Sequence, residues 1–312
     1  MFGLSVFIIG CSISKPSETA LPSMSVIADP SMQVSPEPTL IASNQVDSTR
    51  IYSLGDTIVR EKDEMVMVYV PPGTFLIGSS QEDVEKAVAL CNLYPNQWKD
   101  CDPDWFEIES PPYLATLDGF WIDSTEVTNG QYERCVESNF CNPSRLSNNP
   151  AYNREDYPVA GIPWQDAVDY CTWVGGKLPS ETEWEAAARG PQSSTFPWGG
   201  EFDCERANLY DPDTRCNDGY SEPSPVGSFP EGVSWCGAYD LTGNVWEWTA
   251  KPFWEYSLKN ETIEPDSTGQ YVLRGGSWGY PPAFSRSAYR YLVPPDADYL
   301  AVGFRCVVSH ID

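Results

Sequence analysis

Ten cysteines set against a single histidine fix the chemistry open to this 312-residue chain. Thiolates are soft donors that suit monovalent copper, and they also close disulfides. The one histidine, His310, stands two residues before the end of the sequence. A two-histidine iron site is therefore excluded, and a Ser-His-Asp triad would depend on that terminal histidine. Zinc would have to be held by thiolates and carboxylates. So many cysteines point to an oxidising compartment. Cys91–Cys101, Cys135–Cys141 and Cys204–Cys216 are reasonable local closures, the second stapling the end of a helix to its loop.

The charge balance narrows the partners. Nineteen Lys and Arg against 45 Asp and Glu give a net charge of −26. Such a surface repels phosphate backbones, which argues against nucleic acid, and favours cations such as Ca²⁺. The same acidity also serves plain solubility. Residues 2–10 form an apolar run, too short to span a bilayer, that ends at Cys11. Ile8-Ile9-Gly10-Cys11 resembles a bacterial lipobox, in which Cys11 becomes a lipid-carrying N-terminus. The expected place is the cell envelope: extracytoplasmic, with the lipid of residues 1–11 holding the membrane. A plain secretory signal is the alternative.

The elements that must position any site come next. Residues 12–57 are rich in Ser, Pro and Thr and read as a flexible tether. Folded sequence is expected over 58–312. Met65–Val70 is a strand candidate, Pro71-Pro72-Gly73 a turn, and Thr74–Gly78 a second strand. Thr128-Asn-Gly-Gln131 and Ser180-Glu-Thr-Glu183 have the form of capping boxes, the latter helix stopping at Gly190. Trp164, Val168 and Cys171 mark another helix. Short aromatic segments between Gly, Pro and Asn turns complete an α+β pattern of short strands, a few capped helices and much irregular structure.

From about residue 66 to 308 the chain resembles the sulfatase-modifying factor family, which includes formylglycine-generating enzymes. The segments that carry the likeness are Met67–Gly78, Glu126-Val-Thr-Asn-Gly-Gln-Tyr132, Pro163–Cys171 and Lys177–Gly190. Phe196-Pro-Trp-Gly199, Tyr239–Trp248, Leu273-Arg-Gly-Gly-Ser-Trp278 and Gly303-Phe-Arg-Cys306 follow in the family's order. The resemblance implies a C-type-lectin-like fold stabilised by calcium and disulfides. It implies one Ca²⁺ on the side chains of Asp240 and Glu247 with the carbonyls of Gly243 and Val245. A second would use Asn208 and Asp218 with the carbonyls of Leu209 and Tyr220. Hard oxygens of this kind are what calcium takes. The alternative is ordinary loop carboxylates. The resemblance also pairs Cys171 with Cys306, which leaves Cys236 as either an inert buried thiol or a reactive one.

The same resemblance shows what is missing. The family's oxidases hold Cu(I) between two cysteines in the loop after the Gly-Gly-Ser-aromatic motif. Here that loop, Ser277–Arg290, contains no cysteine, so no copper is expected. Trp246 and Ser277 match positions beside the family's active site, and Arg286 and Arg290 match a recurrent Arg-x-x-x-Arg. Each has a structural alternative: Trp246 as core, the arginines as partners of carboxylates. Trp278, Tyr280, Phe284, Tyr289 and Tyr291, interleaved with Gly, Ser and Pro, read either as a recognition surface or as buried packing. Three functions stay open: a surface-displayed binder of a protein, peptide or glycan; an oxidase-like enzyme or maturation factor acting on an exported protein; and an envelope component using the domain as a spacer.

Overall fold

The computed structural model describes residues 51–94, 101–210, 218–256 and 269–309. These belong to the larger of two units into which the chain divides, Pro38–Asp312. Cys11, residues 12–50, Cys216 and His310 lie outside the described residues. Packing begins inside the segment expected as tether: the Tyr52 ring meets Trp121 edge-on at 4.9 Å.

Among the described residues the strands run β1 (Thr57–Arg60), β2 (Met65–Val70), β3 (Gly73–Ile77), β4 (Tyr113–Leu117), β5 (Phe120–Asp123), β6 (Trp246–Pro252), β7 (Tyr271–Arg274), β8 (Tyr291–Val293), β9 (Val302–Gly303) and β10 (Val307–Val308). The helices are α1 (Gln81–Asn92), α2 (Asp104–Glu107), α3 (Asn129–Glu137), α4 (Trp164–Trp173) and α5 (Glu181–Arg189). One antiparallel sheet has the order β1-β2-β5-β10, and a two-stranded sheet joins β3 to β4. A third has the order β8-β7-β6-β9, with β9 parallel to β6. Strand β2, rich in β-branched and Met residues, pairs antiparallel with β5 from Met67–Asp123 to Val70–Phe120.

The caps explain where the helices begin. In α3 the Thr128 hydroxyl accepts from Gln131 N–H, and the Gln131 amide oxygen accepts from Thr128 N–H at 3.0 Å. Ser180 and Glu183 do the same for α5, which stops at Gly190 with φ 64°. A third box, Ser80 with Asp83, opens α1 and was not singled out in the sequence. It uses the shorter aspartate where the usual pattern has Glu or Gln.

Helix α5 is unusual in sending charge inward. Glu181, Glu183, Glu185 and Arg189 are all buried, and two of these carboxylates receive arginines from distant strands and loops. Cys171–Cys306 joins α4 to the C-terminal segment across 135 residues, with Cα atoms 5.6 Å apart. Cys91–Cys101 and Cys135–Cys141 close short loops. Cys204 is also disulfide-bonded; Cys216, the partner expected for it, lies outside the described residues.

Candidate functional site

The turn that feeds β6 carries the first expected cation donors. Asp240, Gly243 and Asn244 all adopt left-handed backbone, with φ of 57°, 84° and 55°. Gly243 has no alternative here, because a Cβ would stand 2.2 Å from the carbonyl oxygen of Asn208. That close approach lets Asn244 N–H donate to Asn208 O at 3.0 Å. The second expected group is thereby docked on the first. Its members come together: Asp218 accepts from Leu209 N–H at 3.3 Å and from Tyr220 N–H at 2.9 Å. The Asn208 amide donates to Glu222 O at 3.0 Å.

Glu247 carries a different load from the one expected. Its two oxygens take a forked bond from Arg305, both arms at 2.7 Å, and Trp184 Nε1 donates to one of them at 2.8 Å. The cause is register. Glu247 lies beside Gly303 in the parallel β6–β9 pair, so its side chain reaches Arg305. The hard-cation donors left at this turn are Asp240 and a residue to which no role was given, Glu126. Both carboxylate oxygens of Glu126 are buried, and among the described residues the group they face is the Asp240 carboxyl. Burial first, and the Asp240 charge next, push Glu126 well above the ordinary carboxylate range. Asp240 spends one oxygen on Gly227 N–H, at 2.6 Å. Among the described residues no three acidic, Cys or His side chains are gathered as a metal cluster, so calcium here would lean on carbonyl oxygens beside the Glu126–Asp240 pair. That mixture fits the ion's donor preference. In the sequence Glu126 stands two residues ahead of the Thr128 cap, at the head of the Glu126–Tyr132 motif.

The pair has a testable pH signature. A carboxyl with a raised pKa in the folded state stabilises below its unfolded pKa, and that contribution is lost as pH rises through the folded value. In chelator the melting temperature should therefore fall as pH rises above the ordinary carboxylate range. A calcium ion held beside the pair would replace the proton, and added calcium would then cancel the fall. The variant Glu126→Gln should flatten the slope and blunt the calcium response. A slope unchanged in that variant would remove Glu126 from the site.

The loop after Gly276 resolves the two readings of its aromatics. Phe284 and Tyr289 are buried, meet edge-on at 5.2 Å and pack on Phe106 of α2. These two are core, and the recognition reading is corrected for them. The reason is the turn at Pro282–Ser285, which folds this stretch back toward α2. Trp246 is likewise core. It stacks on Tyr291 at 5.1 Å and meets Tyr280 edge-on at the same distance. Ser277 is fully buried. Trp278, Tyr280 and Tyr291 remain half-exposed. Tyr299, which is exposed, lies within electrostatic reach of Tyr280. The indole N–H groups of Trp246 and Trp278 have no partner among the described residues.

The arginines pair with acids. Arg286 forks onto Glu109. Arg290 forks onto Glu181 at 2.7 and 2.9 Å and donates further to Ile108 O and Trp254 O. Arg274 from β7 pairs with Glu185. Burial opposes ionisation of Glu185, yet Arg274 and Arg189 outweigh it and hold the carboxyl below its usual range. Neither loop guanidinium is left with its fork open to bind a ligand.

Cys236 is the free thiol among the described residues. It donates to Ala187 O at 3.5 Å and lies 3.3 Å from the Ser234 hydroxyl. Burial pushes the thiol upward, so it is protonated and poorly nucleophilic at neutral pH.

Comparison with known proteins gives the family. Residues 56–310 match the sulfatase-modifying factor enzyme 1-like domain. The chain belongs to that family. It is 28% identical over 302 residues to the formylglycine-generating enzyme of Bos taurus, covering 78% of this chain and 75% of that one. It is 38% identical over 164 residues to a Mus musculus protein named inactive C-alpha-formylglycine-generating enzyme 2, covering 49% of this chain and 50% of that one. In fold it is similar to PvdO from Pseudomonas aeruginosa, with a TM-score of 0.63 and 24% identity over 82% of this chain and 99% of that one. Treponema denticola variable protein 1 gives 0.60 and 19% over 83% and 98%.

Proposed function

We propose that this family member is an exported, lipid-anchored binding protein on a calcium-stabilised, C-type-lectin-like scaffold, and that it is not a copper oxidase. One observation carries the reading. The loop Ser277–Arg290, where the oxidases keep two sulfurs, has none, and its Phe284, Tyr289, Arg286 and Arg290 are committed to packing and buried ion pairs. Cys236 meets a carbonyl and a hydroxyl, neither of which suits Cu(I). Trp278, Tyr280 and Tyr291, with exposed Tyr299 and Leu300, offer a contact face of rigid aromatics with few rotamers to freeze. Lipid on Cys11 and the Ser/Pro-rich tether would hold that face outside the membrane.

The test has two arms. Cu(I) titration should give no stoichiometric complex, a cysteine-containing sulfatase peptide should stay unconverted, and Cys236 should react with a thiol reagent only after unfolding. In pull-downs from envelope fractions, Trp278→Ala and Tyr280→Ala should lose a partner that the parent chain retains. Peptide conversion by the parent chain would end the binding reading; partners kept by both variants would move the contact face elsewhere.

A further inference from the structure

A separate hollow lies beside Tyr94, just past the end of α1, and is built around the motif Phe196-Pro-Trp-Gly199. A bridge between Phe196 and Gly199 turns this segment tightly. The turn lays Trp198 flat on Phe196, with ring centroids 5.2 Å apart and planes 6° from parallel. Phe196 is buried while Trp198 is half-exposed, so one indole face is backed and the rest of the ring fronts the hollow. Trp198 Nε1 donates to Glu201 O at 3.0 Å, which fixes the ring's orientation. Phe202 packs on Phe196 at 5.6 Å, and Tyr94 meets Phe202 edge-on at 6.4 Å.

The rim of the hollow is polar. The Glu201 side chain is exposed, while Asp203 is held by Arg206 at 2.8 Å. Arg206 also donates to Glu231 O at 3.0 Å, so it has a fixed position. The hollow encloses about 650 Å³, and a second of about 270 Å³ shares Gly200, Glu201 and Phe202 with it and continues toward Lys86. The first volume is in the range of small-ligand sites and the second lies slightly below it.

We propose that this cleft is a saccharide-binding site for neutral pyranose chains. A flat ring backed on one side presents an electron-rich face, on which the axial C–H groups of a pyranose can lie. The exposed Glu201 carboxylate at its edge can accept hydrogen bonds from ring hydroxyls. The second hollow gives room for another sugar unit. Cations are the competing ligand for aromatic rings beside acids, but they are held best where several ring faces converge. Here Trp198 offers one open face and Phe202 does not stack against it. Anionic sugars are disfavoured by Glu201 and by the chain's net charge of −26. The inference goes beyond the proposed function and does not depend on it, because none of the residues of the contact face around Tyr280 takes part.

Saturation-transfer NMR on the full chain, with neutral hexasaccharides of glucose, mannose and N-acetylglucosamine as probes, tests it. At least one should receive saturation at its ring C–H protons. Trp198→Ala should weaken that ligand about tenfold, and Glu201→Ala, at an exposed position, about threefold. Tyr280→Ala should leave it unchanged, which separates this site from the contact face. If Trp198→Ala does not fold, Glu201→Ala alone decides. No transfer to any of the three probes, transfer undiminished in the variants, or transfer only to tetramethylammonium would overturn the proposal.

Discussion

Serine at both Cys171 and Cys306 is expected to remove about 5 kcal/mol of stability, by the entropy of a 135-residue loop released in the unfolded chain. The same treatment puts the 10-residue Cys91–Cys101 closure at about 3 kcal/mol. Denaturant melts of the two double variants should therefore differ clearly in midpoint. Local packing adds to the first. Asp123 accepts from Cys306 N–H at 2.9 Å, and Val307 exchanges backbone bonds with Lys177. Loosening the C-terminal segment thus also strains a buried carboxylate. Equal losses in the two variants would show that the long cross-link does not restrict the unfolded ensemble.

Arg305→Met should be nearly as damaging, at about 3–5 kcal/mol, because it strands Glu247 as an unpaired charge at a fully buried site. Besides the fork on Glu247, the guanidinium donates to Asp123 O at 3.0 Å and Tyr239 O at 2.9 Å. Removing it unsatisfies both carbonyls. The double variant Arg305→Met with Glu247→Leu should recover part of the loss, since an apolar pair of similar volume avoids the desolvation of two ions. Thermal melts of the four chains form the cycle. A double variant no better than Arg305→Met would mean that the carbonyls, and not the stranded carboxylate, dominate the cost.

Local signals in the sequence were readable because their causes are local. The strand Met65–Val70 and the boxes at Thr128 and Ser180 depend on neighbours within a few residues, and the structure has them at those places. The short closures Cys91–Cys101 and Cys135–Cys141 were legible for the same reason. What could not be read is which acid meets which arginine: Glu109 finds Arg286 from 177 residues away and Glu181 finds Arg290 from 109. Nothing in the spacing along the chain encodes those encounters. The aromatic loop was ambiguous for a related reason. Gly, Ser and Pro around Phe284 and Tyr289 look alike whether the rings turn outward or toward Phe106, and only the contact with α2 decides. Glu126 lacked a signal of its own, since its burial against Asp240 depends on a turn more than 100 residues later.

The last few described residues act as a clasp for the whole unit. Within Val302–Val308, β9 completes one sheet against β6, β10 completes another against β5, and Cys306 binds α4. A nascent chain that has not yet delivered this stretch holds two open sheets and an unmatched thiol. Both sheets can therefore be completed only once Val302–Val308 has been made, and the Cys171–Cys306 bond can close only then.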